Sequence, residues 1–202
     1  MNGILRDVGV DTEGVFNGAD GQQGKLEIIA VRGEDVPQRV ADCMGRGEAA
    51  YGLTGDDLFD EFQLGTKGSP LVLLNTYDWF DPAAHFNRPA LCLLNREGAI
   101  PQVAVSVSIA INKKYRLTSE RYLAERLGQF GHEFSVSAYA GDTEFTVAEG
   151  THDWCVEVVY TGEKSDNSAI ALAGLKIAEI VRFSDISLIG RDSRPPIERS
   201  NR

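Results

Sequence analysis

Asp153 and Glu157 stand four residues apart in an otherwise apolar stretch, Trp154 to Tyr160, that stops at Thr161-Gly162. A polar loop, Glu163 to Ser168, follows, and then an apolar helix candidate, Ala169 to Leu175, with Ser168 in place to cap it. A strand that ends in a Gly-containing turn exposes backbone N–H groups. Thr161 and Ser165 add hydroxyls, Lys164 a charge, and a following helix turns its positive end toward an anion. The two carboxylates would hold ribose hydroxyls, or a Mg²⁺ ion carried in with a phosphate. The same pattern also describes an ordinary strand-to-helix turn with a solvated loop, so the surrounding elements have to decide.

Composition narrows the choice. With 202 residues, 43% hydrophobic and 25% charged, the chain can bury a proper core. Its 30 acids against 20 bases give a formal charge of −10, which argues against a nucleic-acid partner, since polyanion binding needs a basic surface. A nucleotide is still compatible with that charge if backbone amides, a few cations and Mg²⁺ line the site. Cys43, Cys92 and Cys155 form no CxxC pair and read as reduced, buried thiols in a cytoplasmic protein. No apolar run approaches the ~18 residues of a membrane helix, and Met1 to Arg6 lacks the layout of an export signal.

The elements that must position these residues alternate in type. Leu26 to Val31 reads as a buried strand delivering Arg32, and Glu34 to Met44 as a helix with Pro37 in its first turn. Ala49 to Leu53 is a strand whose Thr54-Gly55 turn starts a helix carrying Leu58, Phe59 and Phe62 inward. Leu71 to Leu74 is another strand; Asn75 to Pro89 is irregular and aromatic, and Ala90 to Leu94 is a short apolar run. Val103 to Ile111 alternates as a strand does and ends in the densest cation cluster, Lys113, Lys114 and Arg116. Thr118 is positioned to cap a helix over Ser119 to Phe130, and Glu133 to Tyr139 is again a strand.

Several of these segments together resemble one family. Arg32-Gly33-Glu34-Asp35-Val36-Pro37, Gly52-Leu53-Thr54-Gly55-Asp56-Asp57-Leu58, Ile109 to Leu123, Ala140-Gly141-Asp142-Thr143-Glu144 and Asp153 to Gly162 resemble, in the same order, the motifs of the catalytic subunit of ATP phosphoribosyltransferase. The resemblance implies an α/β, two-lobed fold of the periplasmic-binding-protein type II class with a hinge and an interlobe cleft. It implies a first lobe of residues 1–99 plus 169–190 and a second of 100–168, while the polar stretch 191–202, with Pro195-Pro196, reads by composition as a disordered tail. It also implies transfer of the ribosyl phosphate of phosphoribosyl pyrophosphate to N1 of ATP, with Mg²⁺ and release of pyrophosphate, the first step of histidine biosynthesis.

On that resemblance the substrate-binding residues are Arg32, Thr54, Asp57, Lys113, Lys114, Glu144, Asp153, Glu157, Thr161, Gly162, Lys164 and Ser165, with Glu144, Asp153 and Glu157 toward the metal. Positioning and charge stabilisation suffice for such chemistry, so no covalent nucleophile is assigned. A synthetase-like regulatory partner and a homo- or hetero-oligomer are also implied. The chain departs from the family at its start, where a strand and a Lys-Gly-Arg loop are expected, at Ala50 and Glu157, each in place of Asp, and in the lengthened loop carrying Glu163 and Asp166. A catalytically degenerate paralogue, or a small-ligand binding module on the same fold, therefore stands beside the enzyme.

Overall fold

The computed structural model describes residues 28–160 and 169–191. The chain divides into a unit ending at Arg32 and a second beginning at Gly33. In the first, residues 28–32 form no strand, and Ile28, Ile29 and Val31 are exposed, contrary to the buried strand expected there. The apolar run has no described neighbour to bury it.

The second unit holds two sheets. The smaller has the order β1-β8-β2, all antiparallel, with β1 spanning Tyr51–Gly55, β2 Leu71–Tyr77 and β8 Ile186–Arg191. Helices α1 (Val36–Gly45) and α2 (Asp56–Gly65) cover one face of it, burying Val40, Phe59, Leu71 and Ile189. Gly52 is what allows α1 so close: a Cβ there would meet Val36 at 2.5 Å and Val40 at 2.8 Å.

The larger sheet has the order β5-β4-β6-β3-β7, with β3 spanning Ala90–Asn95, β4 Ser106–Asn112, β5 Glu133–Tyr139, β6 Trp154–Val159 and β7 Lys176–Phe183. β4 runs parallel to β5 and β6, whereas β3 is antiparallel to β6 and β7. Parallel neighbours need crossovers, and helices supply them: α3 (Arg116–Gly128) joins β4 to β5, and α4 (Thr143–Ala148) joins β5 to β6. A short helix, α5 (Ala169–Leu172), precedes β7. Side chains of period two sort the faces. Ile109, Ile111, Trp154 and Val156 pack with Leu123 and Leu127 of α3, whereas Ala110, Cys155 and Val159 pack with Val147 of α4. The two crossover helices thus cover opposite faces, and the strand order reverses beside β4.

Sheet membership changes between Tyr77 and Ala90, and again between Phe183 and Ile186. Residues 90–95 and 176–183, which sequence reading gives to the first lobe, are strands of the larger sheet. Cys92 and Cys155 lie fully buried within it, and burial pushes the Cys92 thiol up to about 12. No helix among the described residues is long and apolar enough to cross a membrane.

Candidate functional site

In open α/β sheets a ligand crevice forms outside the carboxyl ends of the strands, where strand order reverses. Here that place holds Asn112, the last residue of β4, and Glu157, near the end of β6. Their side chains share the α4 face of the sheet. Asn112 Nδ2 donates to both carboxylate oxygens of Glu157, at 3.1 and 3.3 Å, and Thr143 Oγ1 donates to Oε2 at 2.9 Å. The N–H of Val158 adds a bond to Oε1 at 2.9 Å. The carboxylate is held from three directions.

Glu144 lies beside it in the first turn of α4, which starts after Asp142 in a left-handed conformation, φ 57°. Glu144 is only 8% exposed, and its Oε2 has no hydrogen-bond partner among the described residues. Burial raises its carboxyl above the ordinary range, and the charges of Glu157 and Asp142 raise it further. Two neighbouring carboxylates, one with an orphaned buried oxygen, suit a hard cation or a diol. They fit a Mg²⁺ ion that takes its remaining ligands from water and phosphate.

The cations stand next along the chain. The Asn112 side chain accepts from the N–H of Lys114 at 3.2 Å, opening a 3-10 turn over Lys113–Tyr115. Lys113 is exposed, Lys114 Nζ sits 5.2 Å from the Tyr115 ring centre, and neither ammonium has a carboxylate partner among the described residues. Tyr115 is buried, and burial raises its phenol, with the charges of Asp57 and Glu157 raising it further. Asp57, at the start of α2, accepts from Ser184 Oγ at 2.7 Å.

The structure therefore gathers Glu144, Glu157 and the backbone of Lys114 around Asn112 and Thr143, whereas the Asp57 carboxylate is committed to Ser184 and the N–H of Leu58. Thr54 lies near the start of α2, but its hydroxyl is committed to the Gly33 carbonyl at 2.7 Å. Arg32 is exposed and ends the preceding unit. Thr161, Gly162, Lys164 and Ser165 lie outside the described residues.

Asp153 is not brought to this group. It precedes β6, so four residues at ~3.3 Å rise separate it from Glu157 by ~13 Å along the strand. Its carboxylate accepts from the N–H and Oγ of Ser108, both at 2.8 Å, which hold it below the usual carboxylate range. It lines a cleft of about 350 Å³ with Arg96, Glu97 and His152 at the opposite end of these strands. Glu144, Asp153 and Glu157 do not form a metal centre, and no group of three such ligands occurs among the described residues. The i, i+4 spacing that would pair acids on a helix separates them on a strand.

Sequence reading passes over Asn112, Tyr115, Thr143 and Ser184. Asn112 and Thr143 carry a signal in retrospect: each is a polar residue at the carboxyl end of a strand or the start of the helix after it.

The fold is α/β of the periplasmic-binding-protein-like type II class. The ATP phosphoribosyltransferase complex HisG:HisZ from Thermotoga maritima has a chain similar to this one at TM-score 0.59 and 18% identity, covering 94% of this chain and 80% of that one. The periplasmic VFT2 domain of BvgS from Bordetella pertussis is similar at TM-score 0.46, 17% identity, and coverages of 96% and 71%. The alkanesulfonate-binding protein SsuA from Xanthomonas axonopodis pv. citri follows at 0.43, 15%, and coverages of 80% and 54%. No family model matches the sequence, and no curated protein matches it.

Proposed function

We propose that the chain is a phosphoribosyltransferase of the ATP phosphoribosyltransferase type. The observation that carries the reading is the Glu144–Glu157 pair at the strand-order reversal, oriented by Asn112 and Thr143 and flanked by Lys113 and Lys114. The carboxylates would hold the ribose hydroxyls of phosphoribosyl pyrophosphate, and the lysines its diphosphate. Thr161, Gly162, Lys164 and Ser165 would wrap the 5-phosphate. Bound Mg²⁺, held by Glu144 and Glu157, would neutralise the departing diphosphate. The C1–oxygen bond to pyrophosphate breaks with its electron pair leaving on oxygen, and N1 of ATP bonds to C1. Similarity to a chain of the HisG:HisZ complex supports the fold half of this reading. A regulatory partner, an oligomer and a cytoplasmic setting belong to the same proposal.

A ligand-binding paralogue without turnover is the second reading, favoured by Glu163 and Asp166 in the loop where a phosphate would lie. Calorimetry with phosphoribosyl pyrophosphate and Mg²⁺, followed by a pyrophosphate-release assay with ATP, separates the two. Binding with release supports the transferase. Binding without release selects the paralogue, and no heat with phosphoribosyl pyrophosphate removes both.

A further inference from the structure

Glu61, half-buried on α2, carries its carboxylate to the start of α3. The N–H of Leu117 donates to its Oε1 at 2.7 Å, and that of Thr118 to its Oε2 at 2.8 Å. Both are first-turn amides of a 13-residue helix, without a carbonyl partner inside the helix and at its positive end. A carboxylate from a helix of the smaller sheet thus occupies the anion seat of a helix of the larger one. The seat adjoins the candidate site, because α3 follows β4 after the Lys113–Tyr115 turn and β4 ends at Asn112.

Two features of the seat exceed what a helix cap needs. Thr118 is 4% exposed, yet its hydroxyl has no hydrogen-bond partner among the described residues. The Cα–Cβ bond of a helical residue leans toward the helix N-terminus, so this orphaned hydroxyl is directed at the seat. The second feature is the pair Lys113 and Lys114 just ahead of it, neither of which meets a carboxylate among the described residues. The two oxygens of Glu61 are spent on two amides, whereas a phosphoryl group has three acceptor oxygens and a greater charge. A free monocarboxylate would not displace Glu61, which is tethered and so held at high local concentration. A diphosphate can, because it also meets the hydroxyl and the two ammonium groups.

We propose that Glu61 is an internal stand-in for a diphosphate. It closes the start of α3 in the free protein, and a diphosphate-bearing ligand displaces it to take the Leu117 and Thr118 amides, the Thr118 hydroxyl and both lysines. Resting on the transferase reading, in which the lysines meet the diphosphate of phosphoribosyl pyrophosphate, this adds a competitor carried by the chain itself. Apparent affinity is then reduced by the fraction of molecules whose seat is open, and displacement releases α2 from the start of α3. Calorimetric titration of inorganic pyrophosphate into wild type, Glu61→Gln and Glu61→Ala is the test, and Glu61→Gln, which keeps the side-chain length, carries it if Glu61→Ala does not fold. Glu125→Gln is the control, since it removes the same charge from an exposed position on α3. The Glu61 variants are expected to bind pyrophosphate about tenfold or more tightly than wild type, and Glu125→Gln to match wild type. Adding Thr118→Val to Glu61→Gln, which removes the hydroxyl at constant volume, is expected to weaken binding again. Equal affinity in wild type and Glu61→Gln, an equal gain in Glu125→Gln, no effect of Thr118→Val, or no binding in any variant overturns the proposal and leaves Glu61 a helix cap. Tighter pyrophosphate binding by Glu61→Gln, in a chain that never binds phosphoribosyl pyrophosphate, upholds the stand-in and removes the transferase.

Discussion

The carboxylate of Glu61, on the small-sheet helix α2, accepts the N–H of Thr118 in the first turn of α3 at 2.8 Å. Its other oxygen accepts that of Leu117 at 2.7 Å. The expected N-cap, Thr118, is thus itself inside the helix, buried, with its hydroxyl unpartnered among the described residues. Glu61 belongs to an acidic face of α2 that repeats at helical spacing. Arg182 spans Asp56 and Asp60, at 2.9 and 2.6 Å, and Asp57 takes Ser184. Both walls of the candidate site are fastened through this one helix face. Glu61→Ala should lower unfolding free energy by about 1 to 3 kcal/mol, because two part-buried donors lose a charged acceptor. Thr118→Ala should cost little more than its lost methyl contacts. Urea titration of both variants checks the contrast, and equal losses would refute it.

Glu144 should make stability depend on pH in a direction opposite to most carboxylates. Its folded value is raised above its unfolded one, so its contribution is fully present below the unfolded value of 4.5 and disappears as pH rises through the folded value. Glu144→Gln removes that loss, and should stabilise the free protein more at pH 7.5 than at pH 4. Melting curves at the two pH values decide it; a gain larger at pH 4 would contradict the raised value.

Thr143→Val keeps the volume of the side chain and removes the hydroxyl that fixes Glu157. The carboxylate then keeps only Asn112 and the N–H of Val158, and phosphoribosyl pyrophosphate should bind about 1 to 3 kcal/mol more weakly. Calorimetry of wild type and variant measures this directly. Unchanged affinity would show that Glu157 does not meet the ligand.

Asp153 should behave as a structural acid. Its folded value is depressed by the Ser108 bonds, so the stability it contributes is present above the ordinary carboxylate range and lost as pH falls through the depressed value. Asp153→Asn should cost about 1 kcal/mol at pH 7, once its exposure to water is discounted, and progressively less toward pH 3. Ligand affinity should not move. A binding defect in a normally folded Asp153→Asn chain would return this residue to the site.

The sequence carries local order well and cross-strand geometry poorly. Strict alternation marks Glu133–Tyr139 as a strand with its observed ends, and the spacing of Val36, Val40 and Met44 marks α1. The pairing of β3 with both β6 and β7 is invisible locally, because a fully buried strand such as Ala90–Asn95 shows an unbroken apolar run and no face. Ile28 to Val31 is equally apolar but exposed, since no composition rule supplies a neighbour. At the site, Glu157 is legible as an acid in an apolar run that ends in a turn, and Glu144 only through the family resemblance. Their holders are not: Asn112 and Thr143 are far apart in the chain, and only the parallel crossover makes them meet.

The placement of the three thiols gives the molecule an internal clock for its own opening. Cys43 is half-buried on α1, whereas Cys92 and Cys155 are sealed in neighbouring strands of the larger sheet. A thiolate reagent therefore reaches the first without global change, but reaches the other two only when β3 and β6 separate. Labelling rates at the buried pair report opening of the larger sheet, and the rate at Cys43 reports events on the smaller one. Ligand that binds the folded chain at the Asn112–Glu157 end should slow the buried pair and leave Cys43 nearly unchanged, so occupancy can be followed by mass alone.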